Sequence, residues 1–238
     1  MSSAKDIIVR PISRKEADDV VKRVHYSGKV VNNSQLHLGV FLNGKLEGAM
    51  QFGPSLDKRK VIGLVDGTGW NEFIELNRMA FSDVLPRNSE SRALAVAMRM
   101  LRKHAPHLKW VISFADGMQC GDGTIYRASG FVLTGVSQGS MWLLPPDLAA
   151  INKGPVAHRL SIQNKTSAIS HEVLRRTNGK NLQMHEYVRR FGGEVLPGYM
   201  LRYIYFIDPA CKERLTVPIL PFSKIDELGA GMYRGEKR

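Results

Sequence analysis

Cysteine is scarce: of 238 residues only Cys120 and Cys211 carry a thiol. They form no C-x-x-C pair, so a zinc finger, or a thiolate-ligated zinc of the nucleobase-deaminase kind, has no ligands to draw on. Free thiols in a reducing compartment are expected. No apolar run approaches the roughly 20 residues that cross a bilayer. Residues 1–10 also lack the apolar core of a secretory signal, which together predicts a cytoplasmic protein with no membrane partner. Internal repeats and low-complexity tracts are absent. Acidic residues are the minority, 22 against 34 Lys and Arg, giving a formal charge of +12. Such an excess favours a polyanionic partner, because neutralising phosphates releases condensed counterions. A hydrophobic content of 43% and a charged content of 24% are those of a globular chain and exclude wholesale disorder.

The most informative stretch is residues 113–132. An apolar run at 110–114 leads into a polar, glycine-rich turn with Asp116, Gly117, Gly121, Asp122 and Gly123. A short segment with Tyr126 follows and stops at Gly130. This pattern predicts a buried strand, a loop and a brief helix, with a carboxylate and a phenol near the carboxyl edge of a sheet, where α/β proteins usually bind ligands.

Around it the chain reads as alternating elements. A strand at 7–10 is followed by a helix at 14–24, begun by the capping box of Ser13 and Glu16. Strands at 36–42 and 46–52 join through Asn43-Gly44, a hairpin turn. After a basic loop, Lys58-Arg59-Lys60, a strand at 73–81 alternates Ile74, Leu76 and Arg78 against Glu75, Asn77 and Met79. A helix at 89–104 cannot continue past Pro106. Strands at 131–136 and 141–144 suggest a second hairpin around Gln138-Gly139. The segment 146–198, with helices at 162–176 and 182–191, is mostly basic, and a strand at 201–207 returns to the sheet. The expected class is α/β (α+β): a central mixed, mostly antiparallel sheet flanked by helices. Its parts are a core at 1–145, a basic helical insertion at 146–198, and a last strand with a tail at 199–238.

This order of elements, with Tyr126-Arg127-Ala128-Ser129-Gly130-Phe131, resembles the GNAT acyltransferase fold. There the loop into the long helix cradles a cofactor pyrophosphate on backbone N–H groups. The corresponding residues here are Asn88, Ser89 and Ser91, with Arg78 near the end of the preceding strand. The resemblance implies acetyl-CoA, but Glu90 and Ser91 depart from that pattern and tell against its ordinary use, which leaves another carbamoylmethyl donor as the alternative.

Across most of its length, through His25-Tyr26, Glu75-Leu76-Asn77-Arg78, Ser89-Glu90-Ser91-Arg92, Asp116-Gly117 and Tyr126-Arg127, the chain resembles the Mom family of bacteriophage DNA-modification proteins. The resemblance implies attachment of a carbamoylmethyl (methylcarbamoyl) group to N6 of adenine in double-stranded DNA, shielding phage DNA from restriction. It also implies iron, with His25, Asp116 and Tyr126 as ligands and Tyr126, Asp116 and Tyr26 as catalytic residues. An imidazole, a carboxylate and a phenolate make a mixed N/O set suited to iron.

Read without the resemblance, each residue has a plainer role. His25 is a helix-end residue, Asp116 a turn residue, and Tyr126 a proton donor to a leaving thiolate. Arg78 is a phosphate ligand or an ion-pair partner of Glu75. Trp70 and Phe73 flank the cleft, where they stack on an extruded base or pack the core. Lys58, Arg59, Lys60, Arg175 and Arg176 are solvated charges or DNA contacts. Two other functions fit the same scaffold, an acetyl-CoA-dependent N-acetyltransferase and a non-catalytic DNA-binding protein. A homodimer is compatible with all three.

Overall fold

The structure is a computed structural model that describes residues 2–163, 165, 167–233 and 236–237. In chain order its main elements are β1 (Ile8–Pro11), α1 (Arg14–Val24), β2 (Leu36–Leu42), β3 (Lys45–Gly53), α2 (Lys58–Val61), β4 (Phe73–Phe81), α3 (Ser89–His104), β5 (Trp110–Asp116), α4 (Thr124–Ala128), β6 (Val132–Gln138), β7 (Met141–Leu143), α5 (Pro146–Asn152), β8 (Val156–His158), α6 (Arg159–Gln163), α7 (Ala168–Arg176), α8 (Met184–Phe191), β9 (Glu194–Val195) and β10 (Tyr199–Phe206). The chain forms two compact units, one of Met1–Val136 with Leu201–Arg238 and the other of Ser137–Met200.

The first unit is built on a seven-stranded sheet in the order β1-β2-β3-β4-β5-β10-β6. Its first three pairings are antiparallel and β4–β5 is parallel, giving the mixed α/β class expected. Local sequence explains the start. Ser13 accepts from the Glu16 N–H while the Glu16 carboxylate accepts from the Ser13 N–H, so α1 begins with two of its free donors satisfied. Ala17, Val20 and Val21 of α1 then pack on Ala49 and Ala80. Asn43 and Gly44 both have positive φ, as the tight β2–β3 turn requires. Pro11 lies on the edge strand, where a missing N–H does least harm.

The centre of the sheet is buried on both faces: Trp110, Val111, Ile112 and Ser113 have no exposed surface. Phe73 stacks on Trp110 with ring centroids 4.5 Å apart. Register pairing of β4 with β5 runs only from Phe73↔Trp110 to Glu75↔Ile112, although both strands continue. Strands that continue without pairing diverge, and the cleft begins there. The strand expected at 201–207 does return to this sheet, as β10, between β5 and β6.

In the second unit β7 pairs with β8 and β9. Trp142, Tyr187 and Phe191 form its aromatic core, and the Trp142 indole N–H donates to the Gly192 carbonyl at 3.0 Å. The hairpin expected around Gln138-Gly139 does not form, because β7 takes its partners from residues further along and β6 lies beside β10. One helix was expected over 162–176. Two are found, α6 and α7, the second begun by Ser167, whose hydroxyl accepts from the Ser170 N–H. Residues 164 and 166 lie outside the described residues. The unit starts at 137, earlier than the insertion boundary drawn from composition, because β7 belongs to its small sheet.

Candidate active site

A bulge in β4 sets the aim of the charged residues it carries. Gln51 of β3 faces Arg78 and Phe52 faces Leu76, so Asn77 is an extra residue without a partner across the ladder. An inserted residue breaks the two-residue alternation and re-aims the side chain that follows. Alternation alone set Arg78 against Glu75. In the structure Arg78 interacts with Glu75, and the strand's charged pair works on one side. The neighbouring backbone is shaped to allow this. A Cβ at Gly53, which pairs with Glu75, would stand 2.5 Å from the Asn33 carbonyl oxygen and 2.8 Å from Asn77 Oδ1.

Arg78 is the hub. Its guanidinium is partly withdrawn from water and lies among Tyr26, Glu75, Asp116 and Tyr126. It also donates to the carbonyls of Lys29 (3.2 Å) and Asn77 (3.1 Å). Glu75 is held by hydrogen bonds with Ser55 and Asn77, yet burial outweighs them and pushes its pKa above the usual glutamate value. It is a carboxylate with heightened proton affinity beside a fixed cation.

Asp116 closes β5 with both oxygens occupied. Oδ2 accepts from the Tyr26 hydroxyl and from Gln119 Nε2, each at 2.9 Å, and Oδ1 accepts from the Met118 N–H at 3.0 Å. Its backbone carbonyl takes the N–H groups of Cys120 and Gly121, which folds the glycine-rich turn around it. Tyr26 is pushed well above the ordinary phenol range by burial of its hydroxyl and then by the Asp116 charge, so it stays a neutral donor. The ring of His25 lies against Tyr26, centroids 4.4 Å apart. Burial, and then Arg78, push the His25 pKa down to about 3, which keeps the imidazole neutral. Ser27 fixes that ring: its hydroxyl lies 2.8 Å from Nδ1 and its N–H 3.2 Å from the same atom.

Tyr126 sits deeper. Its hydroxyl is 2.9 Å from Ser113 Oγ, which also donates to the Leu76 carbonyl at 3.1 Å. Its ring packs on Phe131 and Tyr203. Burial is the main reason its pKa is pushed up to about 12, and at neutral pH it holds a proton. Cys120 is raised by burial and by Asp116, so it is a thiol and not a nucleophilic thiolate.

Among the described residues no three His, Cys, Asp or Glu side chains cluster as a metal site. The set His25, Tyr26 and Asp116, joined by direct contacts, has the imidazole, phenol and carboxylate donors that suit iron. Tyr126 hydrogen-bonds Ser113 instead. Asn88, in the left-handed conformation, precedes α3 without a side-chain cap, and Ser91 Oγ returns to its carbonyl at 3.2 Å. Ser89 is fully buried, its hydroxyl donating to the Pro86 carbonyl at 2.6 Å, which ties its side chain to the loop's own backbone.

The basic residues divide. Lys58, Arg59 and Lys60 are helical, in α2, and not a loop as expected. Lys58 lies 4.6 Å from the Trp70 ring centroid and 5.4 Å from that of Phe73, while Lys60 pairs with Asp57 at 2.8 Å. Of the two aromatics, Phe73 is core and Trp70 is 53% exposed. In the second unit Arg175 and Arg176 both bind Glu172, and Arg176 also binds Asp147 at 2.7 Å, so the two cations are matched by two anions. Sequence reasoning missed Ser113, Ser55 and the carboxylate of Glu75. A serine inside the apolar run 110–114 was the available signal, since a buried hydroxyl needs a partner.

Residues 6–224 match the model of the Mom protein family. The chain is 32% identical over 220 residues to the protein named methylcarbamoylase mom from Escherichia phage Mu, covering 91% of this chain and 82% of that protein. Among solved structures, the N-acyl amino acid synthase FeeM from uncultured soil microbes is 11% identical, with a TM-score of 0.47 and coverage of 88% of this chain and 95% of the other. The ribosomal-protein-S18-alanine N-acetyltransferase of Escherichia coli is 10% identical, with a TM-score of 0.43 and coverage of 84% and 94%.

Proposed function

The chain belongs to the Mom protein family, and from that premise we propose that it is a phage DNA-modification enzyme. It transfers a carbamoylmethyl (methylcarbamoyl) group to N6 of adenine in double-stranded DNA and so protects that DNA from restriction in the host cytoplasm. The observation that carries the reading is the half-buried Arg78 with Glu75, Asp116, Tyr26 and Tyr126 around it, in a relative of a methylcarbamoylase.

The chemistry assigns each group a task. The adenine amine forms one N–C bond and gives up one proton. Glu75, with its raised proton affinity beside the Arg78 cation, is the base. Tyr126 holds a proton at a buried hydroxyl for the departing group of the donor. Arg78 offsets negative charge as it develops. Asp116 orients Tyr26, which with His25 would hold the iron that the family resemblance implies; bound there, iron supplies Lewis acidity. A donor's phosphates would find the uncapped start of α3 at Asn88 and Ser91. The net charge of +12 supports DNA as partner, with Arg59 exposed on the unit that carries the site.

The test is mass spectrometry of nucleosides from DNA of cells that make the protein. A deoxyadenosine heavier by one carbamoylmethyl group is expected. Unmodified deoxyadenosine alone, with folded protein present, overturns the proposal.

A further inference from the structure

Phe73 and Glu75 share a face of β4, two residues apart and so about 7 Å along the strand. At the Phe73 end opens a cavity of about 460 Å³, lined among others by Gln35, Lys58, Asn71, Phe73, Ile74 and His107. Its lining combines one cation and two amides with apolar side chains. Among the described residues neither the Gln35 nor the Asn71 side chain is engaged in a hydrogen bond. Next to Asn71 stands Trp70, 53% exposed, with the Lys58 ammonium over its ring.

We propose that this cavity receives the acceptor adenine, swung out of the duplex, and that Trp70 and Lys58 hold the adjoining nucleotide. The inference rests on the DNA-modifying reading above. Chemistry on an exocyclic amine requires the base outside the stack. Asn and Gln amides pair the N6 and N7 edge of adenine in both donor and acceptor senses, whereas the major-groove edge of cytosine carries the N4 donor alone. An exposed indole gives a base a stacking surface, and a lysine at its face meets the phosphate. Glu75, the carboxylate assigned to take the adenine's proton, lies two residues further along β4 than Phe73.

Tryptophan fluorescence tests this, because Trp70 is exposed while Trp110 and Trp142 are fully buried. The full-length protein is titrated with a deoxyadenosine hexanucleotide and a deoxycytidine hexanucleotide. Adenine strands are expected to change the emission and to bind at least about fivefold more tightly than cytosine strands. Asn71→Ala should remove that preference, and Trp70→Ala should weaken binding, followed by calorimetry, about tenfold, within the range of one stacked base. Both residues are exposed, so the variants keep the fold. Equal response to the two strands, or wild-type binding by both variants, overturns the proposal. If adenine-selective binding depends on Asn71 and Trp70 but no modified nucleoside forms in cells, the pocket stands and the enzymatic reading falls. If both variants modify DNA at the wild-type rate, the pocket assignment alone falls.

Discussion

Replacing Tyr126 by Phe separates a catalytic hydroxyl from a structural one. The substitution removes a single oxygen and leaves the ring on Phe131 and Tyr203. Ser113 has one hydroxyl proton, and the Leu76 carbonyl 3.1 Å away can only accept it, so the phenol is the donor toward Ser113 at 2.9 Å. In the variant Ser113 keeps its bond to Leu76 and no buried donor is orphaned. One neutral hydrogen bond is lost, which costs about 1 kcal/mol of stability. Loss of a positioned proton donor costs about 10²- to 10⁴-fold in rate. Urea unfolding measures the first quantity and nucleoside mass spectrometry over a time course the second. The expected outcome is a drop of about 1 kcal/mol with modification slowed at least about a hundredfold. Modification within about threefold of wild type would falsify the assignment of Tyr126 as proton donor. A stability loss above about 3 kcal/mol would refute the hydrogen-bond reasoning behind the small figure.

Four further outcomes are expected. Glu75→Gln should abolish modification, while the wild-type rate should rise with pH through a value above the ordinary glutamate range, since a raised pKa leaves the base protonated, and inactive, to higher pH; an acid limb at an unshifted carboxylate value counts against Glu75. Asp116→Asn and Tyr26→Phe disturb one 2.9 Å hydrogen bond from its two ends, so the double variant should be little worse than either single one; additive losses in rate would mean separate tasks. Gly53→Ala should force the Asn33–Ser34 backbone and the Asn77 side chain away and so lower both stability and activity, with near-native activity and stability refuting the close approach. Arg176→Gln should leave the salt dependence of DNA binding unchanged, because its charge is already matched by Glu172 and Asp147; a fall of about 0.9 in the slope of log K against log salt would mean that it meets a phosphate.

The secondary structure of the first unit was legible where local chemistry decides. The Ser13–Glu16 capping box, the Asn43-Gly44 turn and the helix at 89–104 all form as read. Alternation along β4 misled, because an inserted residue leaves no mark on the apolar pattern; only the register of Gln51 and Phe52 across the ladder reveals Asn77 as extra. The hairpin at Gln138-Gly139 misled for a related reason. Its turn residues are suitable, but tertiary pairing of β7 with β8 and β9 outweighs them. His25, Tyr26 and Asp116 could be named from the family resemblance, and folding makes Tyr26 the link between the other two. Glu75 stood in the quoted stretch, but its raised proton affinity comes from burial, which no spacing reports.

The segment 137–200 leaves from β6 and returns into β10, which are neighbours in one sheet. Arg202 crosses that neck to both the hydroxyl and the carbonyl of Thr134, at 3.0 and 2.6 Å, so the two strands are fastened independently of what lies beyond them. In genetic terms the segment is a cassette. A tight turn can replace it, or a different insert can occupy its place, without altering the order of strands that carry Glu75, Arg78 and Asp116.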